Sequence, residues 1–250
     1  MKTRRLSAVA LISWLQTLTT DEALVIADDP AGVKQALATL AAKLADCIFV
    51  TSTKDDGEAV NILVEKYDHE KKSAKIKVLS WRNYAVTLGY TGPVAWQVRQ
   101  GFTLKLHAPQ AGSCYQNLTY LQSWNFYDEP TSDSLVFWVP RLAPDSTNKT
   151  AEEMLHHRGF LWDKHTMPVE HYKSFGSIAL LFALILAHFK RVGEPIPLQY
   201  YVASDTLLAD GDRLIAGDFN SSGLYCYYWN DSDRIVNIGF FLLGVESSGK

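Results

Sequence analysis

Seven histidines and three cysteines are the residues of this 250-residue chain that could ligate a metal or serve as base or nucleophile. Their spacing decides which of those chemistries is open. His156 and His157 are adjacent, so on a helix they point about 100° apart and cannot chelate jointly as an HxxxH pair does. His188 lies inside the apolar run SIALLFALILAHF, the setting of a core or helix-end histidine rather than of a ligand. His107 precedes Ala108-Pro109 and is open to any role. Cys47, Cys114 and Cys226 are far apart and odd in number, which gives neither a CxxC motif nor a disulfide framework and favours a reducing compartment. Asp205, Asp210, Asp212, Asp218, Asp231 and Asp233 offer turn oxygens to a calcium ion, but without EF-hand spacing or a nearby bidentate Glu. GxSxG, HExxH, Walker and GxGxxG motifs do not occur. An enzyme would have to use His107, Cys114 or Cys226 with an aspartate.

Residues 217–244, GDFNSSGLYCYYWNDSDRIVNIGFFLLG, suit recognition better than reaction. Tyr and Trp provide large rigid contact area at low entropy cost, and Asn, Ser and Asp add adaptable hydrogen bonds, the mixture found in paratopes. Strand cores with polar turns draw on the same residue types, so each aromatic taken alone fits core packing as well as ligand contact.

The elements that must position these residues follow from pattern. Hydrophobic residues at 47% and charged residues at 20% describe a globular chain, and a net charge of −3 names no partner. A nucleic-acid binder would carry a basic face, and Lys71, Lys72, Lys75, Lys77 and Arg82 read instead as solvated strand charges. The start, MKTRRLSAVALISWLQTL, lacks a small-residue cleavage pattern and reads as a first helix over 6–18. Asp29 and Pro30 open a second helix over 30–45. Strands are expected at 48–52, 59–67 and 74–80, the last two as a hairpin around DHEKKS. Residues 1–80 thus read as a small αβ accessory unit, and 81–250 as a loop-rich domain.

In that second part, 101–107 and 135–140 read as strands, separated by a segment rich in Tyr, Trp, Asn and Gly. A connection that long is functional or hides further elements. A helix capped at Ser146 or Thr147 is expected through Met154, and a buried helix from about 174 to 191 that stops at Gly193. The apolar run of that helix is 13 residues long, short of the roughly 20 that span a bilayer. Four strands follow at 199–203, 213–218, 224–229 and 238–245, joined by the turn sequences ADGD, NSSG and NDSD.

A gap in composition sharpens the reading of the tail. Residues 200–245 contain no Lys, Glu, Gln or Met, although these types supply 36 of the 250 residues. An even spread would place roughly six or seven there. Mutation of both adenines of an AAY codon yields Asn, Ser, Tyr, Asp, Gly, Cys, Arg, Leu, Ile, Val and Phe, but never Lys, Glu, Gln, Met or Trp. The block YCYYWNDSDRIVNIGFFLL resembles the variable region of proteins diversified by adenine-mutating retroelements, whose aromatic, Asn-rich block leads into a last strand containing Gly-Phe, here Gly239-Phe240. Members commonly carry Arg after that pair, where this chain has Phe241. The resemblance covers about 200–245 and, by extension, the chain from about Trp81.

The resemblance implies an α+β, C-type lectin-like fold that displays variable side chains on one face, with Trp229 as fixed scaffold. An enzyme would then sit on a related scaffold, like that of formylglycine-generating enzymes. Alternation nominates Leu214, Ile215, Ile238, Phe240 and Leu242 as core, and Asn220, Ser222, Tyr225, Tyr227, Tyr228, Asn230, Ser232 and Asp233 as the ligand-contacting set. Tyr227 and Tyr228 cannot both be displayed under a period of two without a bulge or a strand end. The expected partner is a protein or other macromolecule, with no nucleic acid, no membrane span and no cofactor. Oligomeric state, cellular location and the ligand's identity are left open by the sequence.

Overall fold

The computed structural model describes residues 48–167 and 174–247. The helices expected over 6–18 and 30–45, with Cys47, lie outside the described residues. The architecture is α+β. In chain order the elements are β1 (Val50–Ser52), α1 (Asp56–Tyr67), α2 (Lys71–Thr87), β2 (Ala95–Val98), the short α3 (Ala108–Ala111), two 3-10 turns (Tyr115–Leu121 and Asn125–Asp128) and β3 (Ser134–Trp138). Then come α4 (Ala151–Lys164), α5 (Ile178–Val192), β4 (Tyr201–Leu207), β5 (Arg213–Asn220), β6 (Gly223–Trp229), β7 (Ile238–Gly239) and β8 (Leu243–Ser247). One four-stranded sheet has the order β1-β2-β3-β8 and is antiparallel throughout; the other runs β6-β5-β4-β7, with β7 parallel to β4.

Both sheets are buried on two faces. Trp96, Val136, Trp138, Leu214 and Ala216 face a core built around α5, while Ala95, Leu135, Phe137, Ala203 and Ile215 face a second core with α1, α2 and α4. This accounts for β3, SLVFW, whose every residue is buried and whose last four are apolar. It also splits the strand expected at 238–245. Phe240 and Leu242 enter the second core and Phe241 the first, so the chain leaves one sheet after Gly239 and joins the other at Leu243.

The hairpin expected over 59–80 is two helices. Asp55 caps α1 by accepting from the Glu58 N–H at 2.9 Å, and Asp68 ends it with φ 55°. The buried positions Ala59, Val60, Ile62 and Leu63, and then Ala74, Val78, Trp81 and Ala85, recur at helical spacing. The lysines of 71–77 are therefore helix residues, and β-branched content outweighed a legible cap in the strand assignment. The boundary expected near residue 80 moves too: the larger compact unit begins at Phe49. β1 pairs with β2, and α1 and α2 share a core with Phe137, so 49–80 are integral to this unit. Residues 101–107 form turns, because the His107 Nδ1 accepts from the Thr103 N–H at 3.0 Å and closes the segment on itself. The α4 cap is Thr150, in a reciprocal capping box with Glu153, and not Ser146 or Thr147.

α5 follows its local signals closely. The Ser177 hydroxyl accepts from the Leu180 N–H at 3.2 Å, Lys190 and Arg191 occupy the last turn, and Gly193 closes it at φ 73°. His188 on α5 is only 1% exposed, between the rings of Trp96 and Trp138. Burial lowers its pKa; the Glu194 carboxylate, 3.6 Å from Nε2, offsets this in part. A histidine held neutral in the fold stabilises fully above the unfolded pKa of 6.5, and that contribution is lost as pH falls below it. Denaturation midpoints should therefore drop from neutral to mildly acidic pH, with a slope of at most about 1.4 kcal/mol per pH unit from this residue. His188→Leu should flatten that limb, and an unchanged slope would assign it to other groups.

Candidate binding surface

β6 is the outermost strand of its sheet, and its sequence GLYCYYW alternates until its end. Leu224 and Cys226 are buried, as is Trp229. Tyr227 and Tyr228 are both displayed, 53% and 43% exposed. The pairing from Arg213↔Trp229 to Gly217↔Tyr225 has no register shift, so no bulge separates the two tyrosines. Their rings stack instead, with centroids 4.8 Å apart and planes 12° from parallel. Successive strand residues point to opposite faces, so rings this close must both lean over the strand's open side. An outermost strand has that space.

Earlier in β6 the open side is covered. The Leu224 N–H donates to the Ser113 carbonyl at 2.9 Å. The Tyr120 hydroxyl donates to the Cys226 carbonyl at 2.9 Å and accepts from the Cys226 N–H at 3.0 Å. Tyr115 stacks on Tyr225 at 4.1 Å, Tyr120 meets Tyr115 edge-on at 5.9 Å, and Trp124 meets Tyr228 at 6.3 Å. Tyr115, Tyr120 and Trp124 thus extend the aromatic surface, and the sequence reading did not name them. The signal was the aromatic content of the long segment after His107. That segment also bends through Gln116, Asn117 and Leu118 at φ 46°, 50° and 58°, a left-handed run costing roughly 1–2 kcal/mol per residue.

The expected polar contacts divide in two. The Asn220 Oδ1 accepts from the Ser222 N–H at 2.8 Å and closes the NSSG turn, leaving Ser222 exposed and Asn220 half-buried. Asn230 donates from Nδ2 to Asp212 at 3.1 Å, and its Oδ1 accepts from the Ser232 N–H at 3.1 Å and hydroxyl at 2.5 Å. Asn230 and Ser232 therefore hold the loop in shape while facing solvent. Asp233 is exposed, and its carbonyl accepts from the Trp229 indole at 3.2 Å, which ties the loop to the buried tryptophan. Leu214, Ile215, Ile238, Phe240 and Leu242 are all buried as expected, with adjacent Leu214 and Ile215 entering opposite cores because the sheet is covered on both faces.

Loop 230–237 is anchored beneath. Arg213 donates to both Asp231 carboxylate oxygens at 2.7 Å and to the Ser204 carbonyl at 2.6 Å, and Arg234 pairs with Glu153. Between this loop and β6 lies a cleft of about 490 Å³ lined by Tyr201, Asp212, Tyr227, Tyr228, Trp229 and Asp233, among others. Four of the eight expected contact residues border it: Tyr227, Tyr228, Asn230 and Asp233.

The groups named for catalysis are differently disposed. Cys114 and Cys226 are free and buried, and burial pushes the Cys114 thiol up to about 12 and raises Cys226 as well. Both thiols stay protonated at neutral pH, unsuited to nucleophilic attack. His107 packs against Phe49 at 4.4 Å, and burial lowers its pKa. Among the described residues no three His, Cys, Asp or Glu side chains assemble as a metal site, and no helix is long and apolar enough to cross a membrane. No family model, curated protein or solved structure matches the chain.

Proposed function

We propose that this is a ligand-binding protein of C-type lectin-like fold, and that its surface around β6 and loop 230–237 is a diversifiable face for a macromolecular partner, as in retroelement-diversified variable proteins. The observation that carries this reading is the Tyr227–Tyr228 pair, stacked, more than two-fifths exposed and bordering a cleft. Stacked tyrosines offer rigid anchors that lose little entropy on binding. The residue types support diversification. Every exposed residue from 220 to 238 is Ser, Tyr, Asn, Asp, Arg, Ile or Val, all reachable from an AAY codon, whereas Trp229, which is not, is buried. A sheet with two buried faces tolerates such change at its open side and connecting loop.

Sequencing sister copies of the gene tests this. Substitutions should fall at exposed positions between 220 and 237 and spare Gly223, Trp229 and 238–243. A near-copy of the segment with AAY at the tyrosine codons should accompany a reverse transcriptase. An invariant tail across many copies would overturn the proposal.

A further inference from the structure

We infer that the cleft between β6 and loop 230–237 receives an arginine side chain of the partner, an inference that rests on this surface being a binding face. Charge is the first ground. Residues 200–245 hold six aspartates and two arginines and no lysine. Both arginines are engaged, Arg213 by Asp231 and Arg234 by Glu153. Asp205 accepts from the Phe175 and Gly176 backbone N–H groups at 2.9 and 2.8 Å. Asp212 and Asp233 remain on the cleft wall, with Asp210 nearby in the ADGD turn. Asp212 makes one hydrogen bond from Asn230 to its Oδ1, and neither it nor Asp233 faces a cation among the lining residues.

Shape is the second ground. Tyr201, Tyr227, Tyr228 and Trp229 line the same cleft, so aromatic faces and carboxylates converge on one small volume. A cation gains from the negative face of an aromatic ring and from a carboxylate together. A guanidinium fits this arrangement better than an ammonium, since its plane stacks on a ring while its fork reaches a carboxylate. The Tyr228 phenol is disfavoured from ionising, first by the neighbouring Tyr227 phenol, with Asp212 and Asp210 adding in the same direction.

The test uses the full chain, isotopically labelled, titrated with N-acetyl-arginine amide, N-acetyl-lysine amide and N-acetyl-citrulline amide. Citrulline keeps the shape of arginine without its charge. Arginine should shift the amides of 227–237 and the Trp229 indole, bind at least about tenfold more tightly than citrulline, exceed lysine, and weaken with added salt. The Asp212→Asn/Asp233→Asn variant should lose about tenfold in arginine affinity. Asp233→Asn alone, at a carboxylate with no hydrogen bond or ion pair among the described residues, should lose affinity with an unchanged melting temperature and serves if the double variant unfolds. Equal binding of arginine and citrulline, shifts confined to other surfaces, or full affinity in Asp233→Asn would overturn the inference. Citrulline binding in the cleft as well as arginine would remove the cation preference and leave the binding face standing. An invariant tail in sister copies removes the binding face whatever arginine does.

Discussion

Gly223→Ala should destabilise the protein by about 3 kcal/mol and detach the 113–120 segment from β6. Gly223 opens β6 at φ 108°, a conformation that side chains with a Cβ rarely adopt. A Cβ there would also lie 2.7 Å from the Cys114 carbonyl carbon and 2.8 Å from the Tyr115 nitrogen. Both are backbone atoms, so no rotamer change relieves the contact. The same approach brings Ser113 onto the Leu224 N–H and Tyr120 onto Cys226, and sets Tyr115 against Tyr225 at 4.1 Å. Denaturant midpoints would measure the loss, and near-UV circular dichroism would report the aromatic stacks. Gly211→Ala is the control. Gly211 has φ 94° but nothing within 4 Å of a built Cβ, so it should show the conformational cost alone, about 1 kcal/mol. Equal effects at the two glycines would refute the steric argument.

Arg213→Ala should cost about 3 kcal/mol and loosen loop 230–237. Its guanidinium is nearly buried, grips Asp231 with two bonds of 2.7 Å, bonds the Ser204 carbonyl at 2.6 Å and lies 5.6 Å from the Phe175 ring centre. Alanine leaves the carbonyl of the fully buried Ser204 without this donor and removes packing from Phe175. Asp231 also supplies the carbonyl that accepts from the Ala151 N–H at 2.9 Å, so the clamp fixes where the loop meets the start of α4. Thermal melting gives the stability term. Fluorescence of Trp229, whose indole bonds Asp233 in the same loop, follows its order. A double-mutant cycle with Asp231→Asn should give a coupling of roughly 1–3 kcal/mol, and additive effects would show that the pair does not act as a unit.

Elements with complete local signals were legible from sequence. The apolar run and Gly193 mark α5, which starts at Ile178 rather than near 174, and the NSSG turn joins two strands in which Leu214, Ile215 and Trp229 are buried as expected. Where local signals competed, the reading failed. β-branched residues in 59–67 outweighed the cap at Asp55, and helices stand where a hairpin was expected. Residues 101–107 carry strand-like alternation, yet His107 folds them back onto Thr103. The GFFLL run has no alternation because its side chains enter two cores, which no window of neighbouring residues reveals.

For the surface the division is similar. Sequence alone determined which residue types stand between 220 and 233, and the resemblance set Trp229 apart from them; its indole is buried. Tertiary structure decided that Tyr227 and Tyr228 can both be exposed without a bulge, since that depends on β6 being outermost. It also decided that Tyr115, Tyr120 and Trp124 join them, since that depends on a backbone contact at Gly223 roughly a hundred residues away along the chain. Propensities, caps and turns act between near neighbours and are written in order along the chain. Openness of a strand and contact between distant segments are fixed only when the two cores close, because burial is shared among residues the sequence keeps apart.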